Sequence, residues 1–254
     1  MCGRFVSVSS PDLLAQRFHA DEISLADGAK AADYNVTPRA QIYVVRRRST
    51  GETQLSTAQW GLVPSWTKDP KVGDRQINAR AESVATKPPY RRAFEKRRCL
   101  IPADGFYEWH HERGKKRRQP VFIRARDGEP LALAGLWEVW RENEDDDWLR
   151  SCTIITTTAN ELLAPIHNRM PVILPESAWE RWLDPGNDDR EALAKLLVPA
   201  AGATLEMWPV SPLVNSPQNN GPELLEPSAS DAHAPPPPPP EEERRRRAYP
   251  SGPC

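Results

Sequence analysis

Two neighbouring stretches, Gln41-Ile42-Tyr43-Val44-Val45-Arg46-Arg47 and Thr53-Gln54-Leu55-Ser56-Thr57-Ala58-Gln59-Trp60, determine the fold class of this chain. Both are rich in β-branched and aromatic residues and are bounded by glycine or polar clusters, which predicts β-strands. Four further stretches have the same character: residues 120–125, 131–137, 149–156 and 204–210. Most of the chain is therefore predicted to be β-structure.

Short helices are predicted between these strands. Ser10-Pro11-Asp12 combines an N-cap, a first-turn proline and an acidic residue. Thr158-Ala159-Asn160-Glu161 has capping-box spacing, which predicts a short helix that ends at Pro165. Two more helices are predicted from apolar faces formed by Ala178, Trp179, Trp182 and Leu183, and by Ala192, Leu193, Leu196 and Leu197.

Strands and helices do not alternate regularly along the chain, which argues against a doubly wound parallel sheet. We predict an α+β fold: a single domain with a largely antiparallel, barrel-like β core and short peripheral helices.

The composition changes near Pro227, after which come six prolines at 235–240, three glutamates and four arginines. Such a segment cannot bury a core. We therefore predict a folded domain over residues 2–227 and a disordered Pro/Glu/Arg-rich tail over residues 228–254.

The net charge of -1 hides a basic segment. From Lys87 to Arg126 there are thirteen Lys and Arg residues against four acidic residues. Such a segment indicates binding to a polyanion, with nucleic acid as the first candidate, although a solvated basic surface is the alternative.

The cysteines and the hydropathy pattern indicate the compartment. Cys2, Cys99, Cys152 and Cys254 are scattered, without a C-x-x-C pair, which argues against a zinc site or a disulfide framework and fits a reducing cytosol. No apolar run approaches the roughly 20 residues that cross a bilayer. We expect a cytoplasmic protein with no membrane span, no metal and no cofactor.

The chain begins Met1-Cys2-Gly3-Arg4-Phe5. If Met1 is removed, Cys2 carries a free α-amine and a thiol on adjacent carbons, groups whose ordinary pKa values are about 8 and 8.5. This 1,2-aminothiol can condense with an aldehyde: the amine forms a Schiff base, and the thiol closes on the same carbon to form a thiazolidine. On these five residues alone, a cysteine of no special role is the favoured interpretation.

Trp60-Gly61-Leu62-Val63-Pro64-Ser65-Trp66 places two tryptophans around a turn shaped by glycine and proline. A tryptophan on such a loop can stack on a base, which contributes about 1–3 kcal/mol in single-strand binding. We expect this role for Trp66 and core packing for Trp60.

In the next segment Asn78, Arg80 and Glu82 alternate with apolar residues, so a strand there points all three the same way.

Glu108 lies between two aromatic residues after an apolar run. Burial there raises the pKa of a carboxyl group, as an acid–base catalyst near neutrality requires. A carboxylate paired with an arginine is the alternative.

His167 and Arg169 flank a turn between two prolines. A histidine can transfer protons and an arginine can hold phosphate, whereas a structural histidine is the alternative.

Taken in order, these segments closely resemble the SOS response-associated peptidase (SRAP) family over about residues 2–227. The matching motifs are Met1-Cys2-Gly3-Arg4-Phe5, Tyr34-Asn35-Val36-Thr37-Pro38, residues 60–66, Asn78-Ala79-Arg80-Ala81-Glu82, residues 99–109, Gly135-Leu136-Trp137-Glu138, Ile166-His167-Asn168-Arg169-Met170-Pro171, and residues 209–215 and 221–224.

The resemblance implies a sensor that crosslinks itself to abasic sites in single-stranded DNA through a thiazolidine at the processed Cys2. It implies that Asn78 holds the N-terminus and the sugar, that Glu108 moves protons during Schiff-base formation, and that His167 assists opening of the deoxyribose ring. By the same resemblance, the DNA-binding residues are Gly3, Arg4, Pro38, Trp66, Arg80 and Arg169. The expected protein is a monomer associated with the nucleoid, with accessory self-processing activity.

Two alternatives remain open. A cysteine peptidase that acts on proteins is one, because Cys2 and His167 can form a cysteine–histidine arrangement. A non-covalent single-stranded DNA-binding module is the other, and it would tolerate the loss of the Cys2 thiol.

Overall fold

The computed structural model describes residues 2–25, 28–111 and 118–228. The strands are β1 (Phe5–Ser7), β2 (Glu22–Ser24), β3 (Asp33–Val36), β4 (Gln41–Arg47), β5 (Thr53–Trp60), β6 (Asn78–Arg80), β7 (Arg98–Ala103), β8 (Gly105–His110), β9 (Gln119–Ala125), β10 (Leu131–Trp140), β11 (Leu149–Thr158), β12 (Arg169–Pro171) and β13 (Leu205–Pro209). The α-helices are α1 (Pro11–Arg17), α2 (Pro88–Lys96), α3 (Glu176–Leu183) and α4 (Arg190–Ala194). Short 3-10 helices lie at Pro70–Arg75, Gly202–Thr204, Pro212–Asn215 and Pro222–Leu225.

Five strands close into a barrel. Neighbouring strands follow the order β11-β10-β7-β4-β5, and each of these pairs is antiparallel. The barrel closes where β5 pairs in parallel with β11, with Gln59 opposite Ser151 and Trp60 opposite Cys152. This arrangement confirms the predicted α+β class with a largely antiparallel, barrel-like core.

A second sheet, in the order β13-β9-β8-β1-β3, packs against this barrel. Phe5 of β1 pairs with Phe106 of β8, and the Phe5 ring meets Trp60 edge-on at 5.3 Å between centroids. Both phenylalanines join the apolar cluster that contains Ile42, Trp60 and Ile101 of the barrel strands. The start of the chain is therefore held against one end of the barrel.

Strand alternation divides the apolar residues between the inside and the outside of the barrel. On β4, Ile42 and Val44 belong to the cluster shared with β1, whereas Tyr43 and Val45 belong to a second cluster. Helices α1, α2 and α3 contribute to the second cluster, so they cover the outside of the barrel. None of the helices in the described ranges has the length and apolar character needed to cross a membrane.

The predicted strands agree closely with the observed ones. The stretches at 41–47 and 53–60 are β4 and β5, and those at 131–137 and 149–156 extend by a few residues to form β10 and β11. The predicted N-cap also forms, because the Ser10 side chain accepts from the backbone N–H of Leu13. The fourth predicted helix ends at Ala194, so Leu196 and Leu197 lie beyond it.

The predicted helix that begins at Thr158 is wrong. Thr158 is the last residue of β11 and pairs with Arg169 of β12, so the strand ladder occupies the predicted capping residue. Residues 161–166 form turns, and Asn160 Oδ1 accepts from Leu163 N at 3.0 Å in place of the predicted cap. The predicted domain boundary at 227 remains a prediction, because only Ser228 of the predicted tail lies within the described residues.

Gly61 lies at a close crossing of two backbones. Its φ is +127°, and a Cβ there would meet the Gly73 carbonyl oxygen at 2.7 Å. We expect Gly61→Ala to lower the free energy of unfolding by roughly 2–4 kcal/mol, because backbone strain and overpacking add. Gly128→Ala is the matched control: its φ is +80° and its Cβ meets nothing within 4 Å, so a cost of only about 1 kcal/mol is expected. Urea denaturation of both variants measures the difference, and equal losses would contradict the proposed crossing.

Candidate active site

Cys2 is fully buried at the barrel end, although it precedes the first strand. Its Sγ lies 3.9 Å from the carbonyl oxygen of Arg4, and it packs in the same cluster as Phe5 and Trp60. Burial raises the pKa of the thiol far above its ordinary value, and the nearby negative charge of Glu108 raises it further. The thiol is therefore neutral in this environment.

Asn78 holds the backbone of Cys2. Strand β6 lies parallel to β11 with Asn78 opposite Ile154, and the Asn78 side chain donates from Nδ2 to the Cys2 carbonyl oxygen at 2.7 Å. The other side-chain atom, Oδ1, is buried and accepts no hydrogen bond from the described residues. An orphaned buried acceptor is unusual in a protein, and here it remains available to a donor that binds at this site.

Glu108 lies on β8 and is only 2% exposed. Its neighbour Tyr107 belongs to a different cluster from Phe106, so alternation places Phe106 and Glu108 on the face that meets the barrel end. Burial raises the pKa of the Glu108 carboxyl, and the positive charge that His167 can carry opposes this rise. The sequence predicts a raised pKa for a carboxyl buried between aromatic residues, and the direction of the shift agrees with that prediction.

His167 follows the turns after β11. Its Nδ1 lies 2.9 Å from the backbone N–H of Arg169, which donates to it, and 3.2 Å from the Arg169 carbonyl oxygen. The N–H contact assigns the proton of a neutral ring to Nε2. When the ring is protonated, the carbonyl oxygen can accept from Nδ1, so the backbone of Arg169 can serve both protonation states.

The structure thus brings together four residues that are far apart in sequence: Cys2, Asn78, Glu108 and His167. A direct hydrogen bond joins the first two. Electrostatic coupling connects Cys2 with Glu108, and Glu108 with His167. We call these four residues the Cys2 group. It combines a nucleophile, an amide that orients it and two groups that can transfer protons.

The three arginines predicted to hold phosphate differ in how their donors are engaged. Arg4 donates from Nη1 to Asn35 Oδ1 and to the Val214 carbonyl oxygen, both at 2.7 Å. Arg169, with a side chain only 13% exposed, forms a bidentate pair with Glu82 at 2.5 and 3.0 Å. Arg80, by contrast, is exposed and makes no hydrogen bond or ion pair among the described residues. Arg80 is thus the one whose charge is most accessible to solvent.

Trp66 is 58% exposed, as expected for a stacking residue, whereas Trp60 is fully buried in the core. The loop between them runs towards the turn that joins β10 and β11, where Trp140 Nε1 donates to the Thr67 carbonyl oxygen at 2.8 Å. Gly3 and Pro38 are both half-buried near the barrel end that β1 covers.

Trp109 was not predicted as a site residue. It is half-buried, the Arg4 guanidinium lies 5.9 Å from its ring centroid, and its Nε1 donates to Asn215 Oδ1 at 2.7 Å. It directly follows Glu108, and this adjacency was the only sequence signal. Among the described residues, no three His, Cys, Asp or Glu side chains are placed to hold a metal ion.

The closed barrel and the Cys2 group define an α+β protein with a candidate cysteine centre near its amino terminus. The chain belongs to the SOS response associated peptidase (SRAP) family, which it matches over residues 1–217. This confirms the resemblance drawn from the sequence motifs.

Several named relatives share most of this chain. The abasic site processing protein YoqW of Bacillus subtilis is 42% identical over 226 residues, which cover 89% of this chain and 99% of that protein. The abasic site processing protein HMCES of Pongo abelii is 34% identical over 230 residues, 76% of this chain and 64% of that protein.

Solved structures share the fold. A Bacteroides thetaiotaomicron protein superposes with a TM-score of 0.79 at 23% identity, covering 89% of this chain and all of that chain. A Bordetella bronchiseptica protein superposes with a TM-score of 0.68 at 28% identity, covering 83% of this chain and all of that chain.

Proposed function

We propose that this protein processes abasic sites in single-stranded DNA, and that it does so by forming a covalent thiazolidine crosslink through Cys2. The crosslink would shield the lesion during the DNA damage response. The relatives that carry the name abasic site processing protein support the processing role. The observation that carries the proposed mechanism is the 2.7 Å hydrogen bond that holds the Cys2 carbonyl to Asn78, beside Glu108.

The reaction begins with removal of Met1, which we assign to an accessory self-processing activity: hydrolysis of the Met1–Cys2 peptide bond consumes one water and releases methionine. The freed α-amine of Cys2 adds to the C1′ aldehyde of the ring-opened sugar, and loss of one water forms a Schiff base. The thiol then adds across the C=N bond: sulfur bonds to C1′ and its proton passes to nitrogen. The product is a thiazolidine, and crosslinking of the freed Cys2 to the aldehyde releases one water.

The environment of Cys2 favours this order of events. Because burial keeps the thiol neutral, the amine is the first nucleophile and the thiol reacts in the second, intramolecular step. Glu108, whose pKa is raised by burial, can protonate the departing hydroxyl and then accept the thiol proton. Asn78 Oδ1, a buried acceptor without a partner among the described residues, is available to the freed amine or the sugar.

His167 and Arg80 have supporting roles in this proposal. An abasic sugar exposes an aldehyde only after ring opening, which requires a proton to leave the C1′ hydroxyl and another to reach the ring oxygen. His167, held by Arg169 at Nδ1, can transfer such protons through Nε2. Arg80, accessible on β6, can hold a neighbouring phosphate, and the exposed Trp66 can stack on a base.

The direct test mixes Met1-processed protein with single-stranded DNA that carries one abasic site. We expect a heat-stable band on a denaturing gel with this strand and none with an intact strand, and mass spectrometry should map the bond to Cys2. A permanent N-terminal tag should abolish the band, because it converts the amine into an amide. A tagged protein that still crosslinks would contradict the Schiff-base route.

The same experiment addresses the alternatives. A protein that binds both strands equally without a covalent band would be a non-covalent single-stranded DNA-binding module. A protein that forms no band but cleaves added polypeptides through Cys2 would be a cysteine peptidase.

A further inference from the structure

A cavity of about 490 Å³ opens at the other end of the barrel from the Cys2 group. On β4, Ile42 packs in the cluster that contains Cys2, whereas Arg46 lies four residues further along the strand, roughly 13 Å away. Arg46 and Trp137 both line this cavity. The cavity is therefore separate from the candidate active site.

The lining of this cavity is strongly basic. Six of its side chains are cations and one, Glu95, is an acid. The cations are Arg46, Arg47, Arg48, Arg92, Lys96 and Arg97. Three of these belong to the basic segment 87–126 that predicted a polyanion partner, so the structure places part of that segment here and not beside Cys2.

Half of these cations already have carboxylate partners. The pairs are Arg47 with Glu180, Arg48 with Glu22, and Arg97 with Glu138. The acid of the cavity, Glu95, is itself paired with Arg190 at 2.5 Å. The cavity thus retains an uncompensated positive charge on its remaining three cations.

None of those three cations forms an ion pair within 4 Å among the described residues, although Glu22 and Glu138 attract Arg46 and Arg92 from further away. Arg46 donates to the Gln54 amide oxygen at 2.5 Å, and Lys96 donates to the Pro185 carbonyl oxygen at 3.3 Å. Arg92 makes no hydrogen bond or ion pair there. Arg92 and Lys96 are four residues apart on α2, so they share one helix face, where like charges repel.

Arg46 lies in an unfavourable environment for a cation. Its Nε is buried without a partner among the described residues. Burial, together with the neighbouring charges of Arg150 and Arg48, lowers the pKa of the guanidinium to about 10, and Glu22 partly opposes this fall. Its guanidinium also lies 4.9 Å from the centroid of the Trp137 ring. A bound anion would relieve this repulsion.

We propose that this cavity is a second binding site, for phosphate groups, independent of the Cys2 group. Arg46, Arg92 and Lys96 converge here without ion pairs of their own, and arginine forks and a lysine match the oxyanions of phosphate. The volume accommodates two adjacent phosphate groups. A cleft lined by one sign of charge also concentrates such anions. The phosphates can belong either to the backbone of a DNA strand that extends past the candidate active site or to a free phosphorylated compound.

The test compares the Arg92→Ala/Lys96→Ala protein with an Arg181→Ala/Lys195→Ala control. The control also removes one arginine and one lysine, but from exposed positions that do not line the cavity. Each protein is titrated calorimetrically with inorganic pyrophosphate. Each is also titrated with an intact single strand of about 30 nucleotides over a range of salt concentrations, where each lost contact reduces the slope of log K against log salt by about 0.7.

A loss of at least about tenfold in pyrophosphate affinity, confined to the cavity variant, is the expected result. A parallel reduction of about 1.4 in the salt slope for DNA would identify the DNA backbone as the source of the phosphates. A loss for pyrophosphate alone would identify a free phosphorylated compound. Equal binding by the cavity variant and the control in both titrations would overturn the proposal. Covalent capture of a short abasic strand, measured in parallel, tests the Cys2 mechanism separately.

Discussion

Cys2→Ala is expected to abolish covalent capture of abasic single-stranded DNA while leaving the non-covalent affinity for the same strand within about threefold of the unmodified protein. The variant keeps an α-amine, so it can still form a Schiff base, but that bond hydrolyses because no thiol closes on it. The accessible phosphate and base contacts, at Arg80 and Trp66, are unchanged. The measurement is a denaturing gel with an abasic strand, together with fluorescence anisotropy for binding.

Cys152→Ala is the matched control for this prediction. Cys152 is as fully buried as Cys2 and lies in the same apolar cluster, but β11 holds it inside the barrel. Its loss should cost some stability through the cavity that it leaves and should preserve capture. A Cys2→Ala protein that still forms a heat-stable band would refute the thiazolidine.

Glu108→Gln should slow capture by about 10²–10⁴-fold, because the amide can neither give nor take the protons that Schiff-base formation and ring closure require. The side chain keeps its size and polarity, so non-covalent affinity should change little. Single-turnover crosslinking rates measure the first effect and anisotropy measures the second. A loss of affinity without a loss of rate would make Glu108 structural.

The pH dependence of capture offers an independent check on Glu108. Because burial raises its pKa, the carboxyl should titrate above the ordinary glutamate value of about 4.3, and the rate profile should show a limb there. The Gln variant should lack that limb. Glu138→Gln is the control, since Glu138 is also buried with a raised pKa but is paired with Arg97 away from the Cys2 group.

Stability should move in the opposite direction to activity. A carboxyl whose pKa is higher in the folded state stabilises the fold at low pH, and that contribution is lost as the pH rises through the folded pKa. Above the folded-state pKa the buried carboxylate of Glu108 is therefore unfavourable, and there Glu108→Gln should leave the melting temperature unchanged or raise it. A catalytic role predicts this combination of slower capture with undiminished stability.

The sequence predicted four of the five barrel strands, β4, β5, β10 and β11, because their signals are local, and β7 was not among the predicted strands. The stretches at 41–47 and 53–60 are flanked by polar or glycine residues and match β4 and β5 residue for residue. The helix predicted from Thr158 failed because pairing with Arg169, a residue of a later strand, overrides the local capping pattern. The β5–β11 pairing that closes the barrel joins residues about ninety positions apart, and no local pattern signals it.

The residue types of the candidate site were also available from the sequence. Cys2, Asn78, Glu108 and His167 each lie in a motif with a chemical rationale, and their order matches the family. The placement of those four side chains around the barrel end required the tertiary structure. The tertiary structure was also needed to show that Arg4 and Arg169 are bound to other protein groups, whereas Arg80 is exposed.

By itself, the sequence determined the strand-rich core, the family and the chemistry that each side chain can perform, because these depend on residue type and short-range order. Only the tertiary structure decided the protonation of the Cys2 thiol, the raised pKa of Glu108 and the position of the basic cavity away from both. Burial and charge pairing control these properties, and both arise from contacts between segments that are distant in the chain.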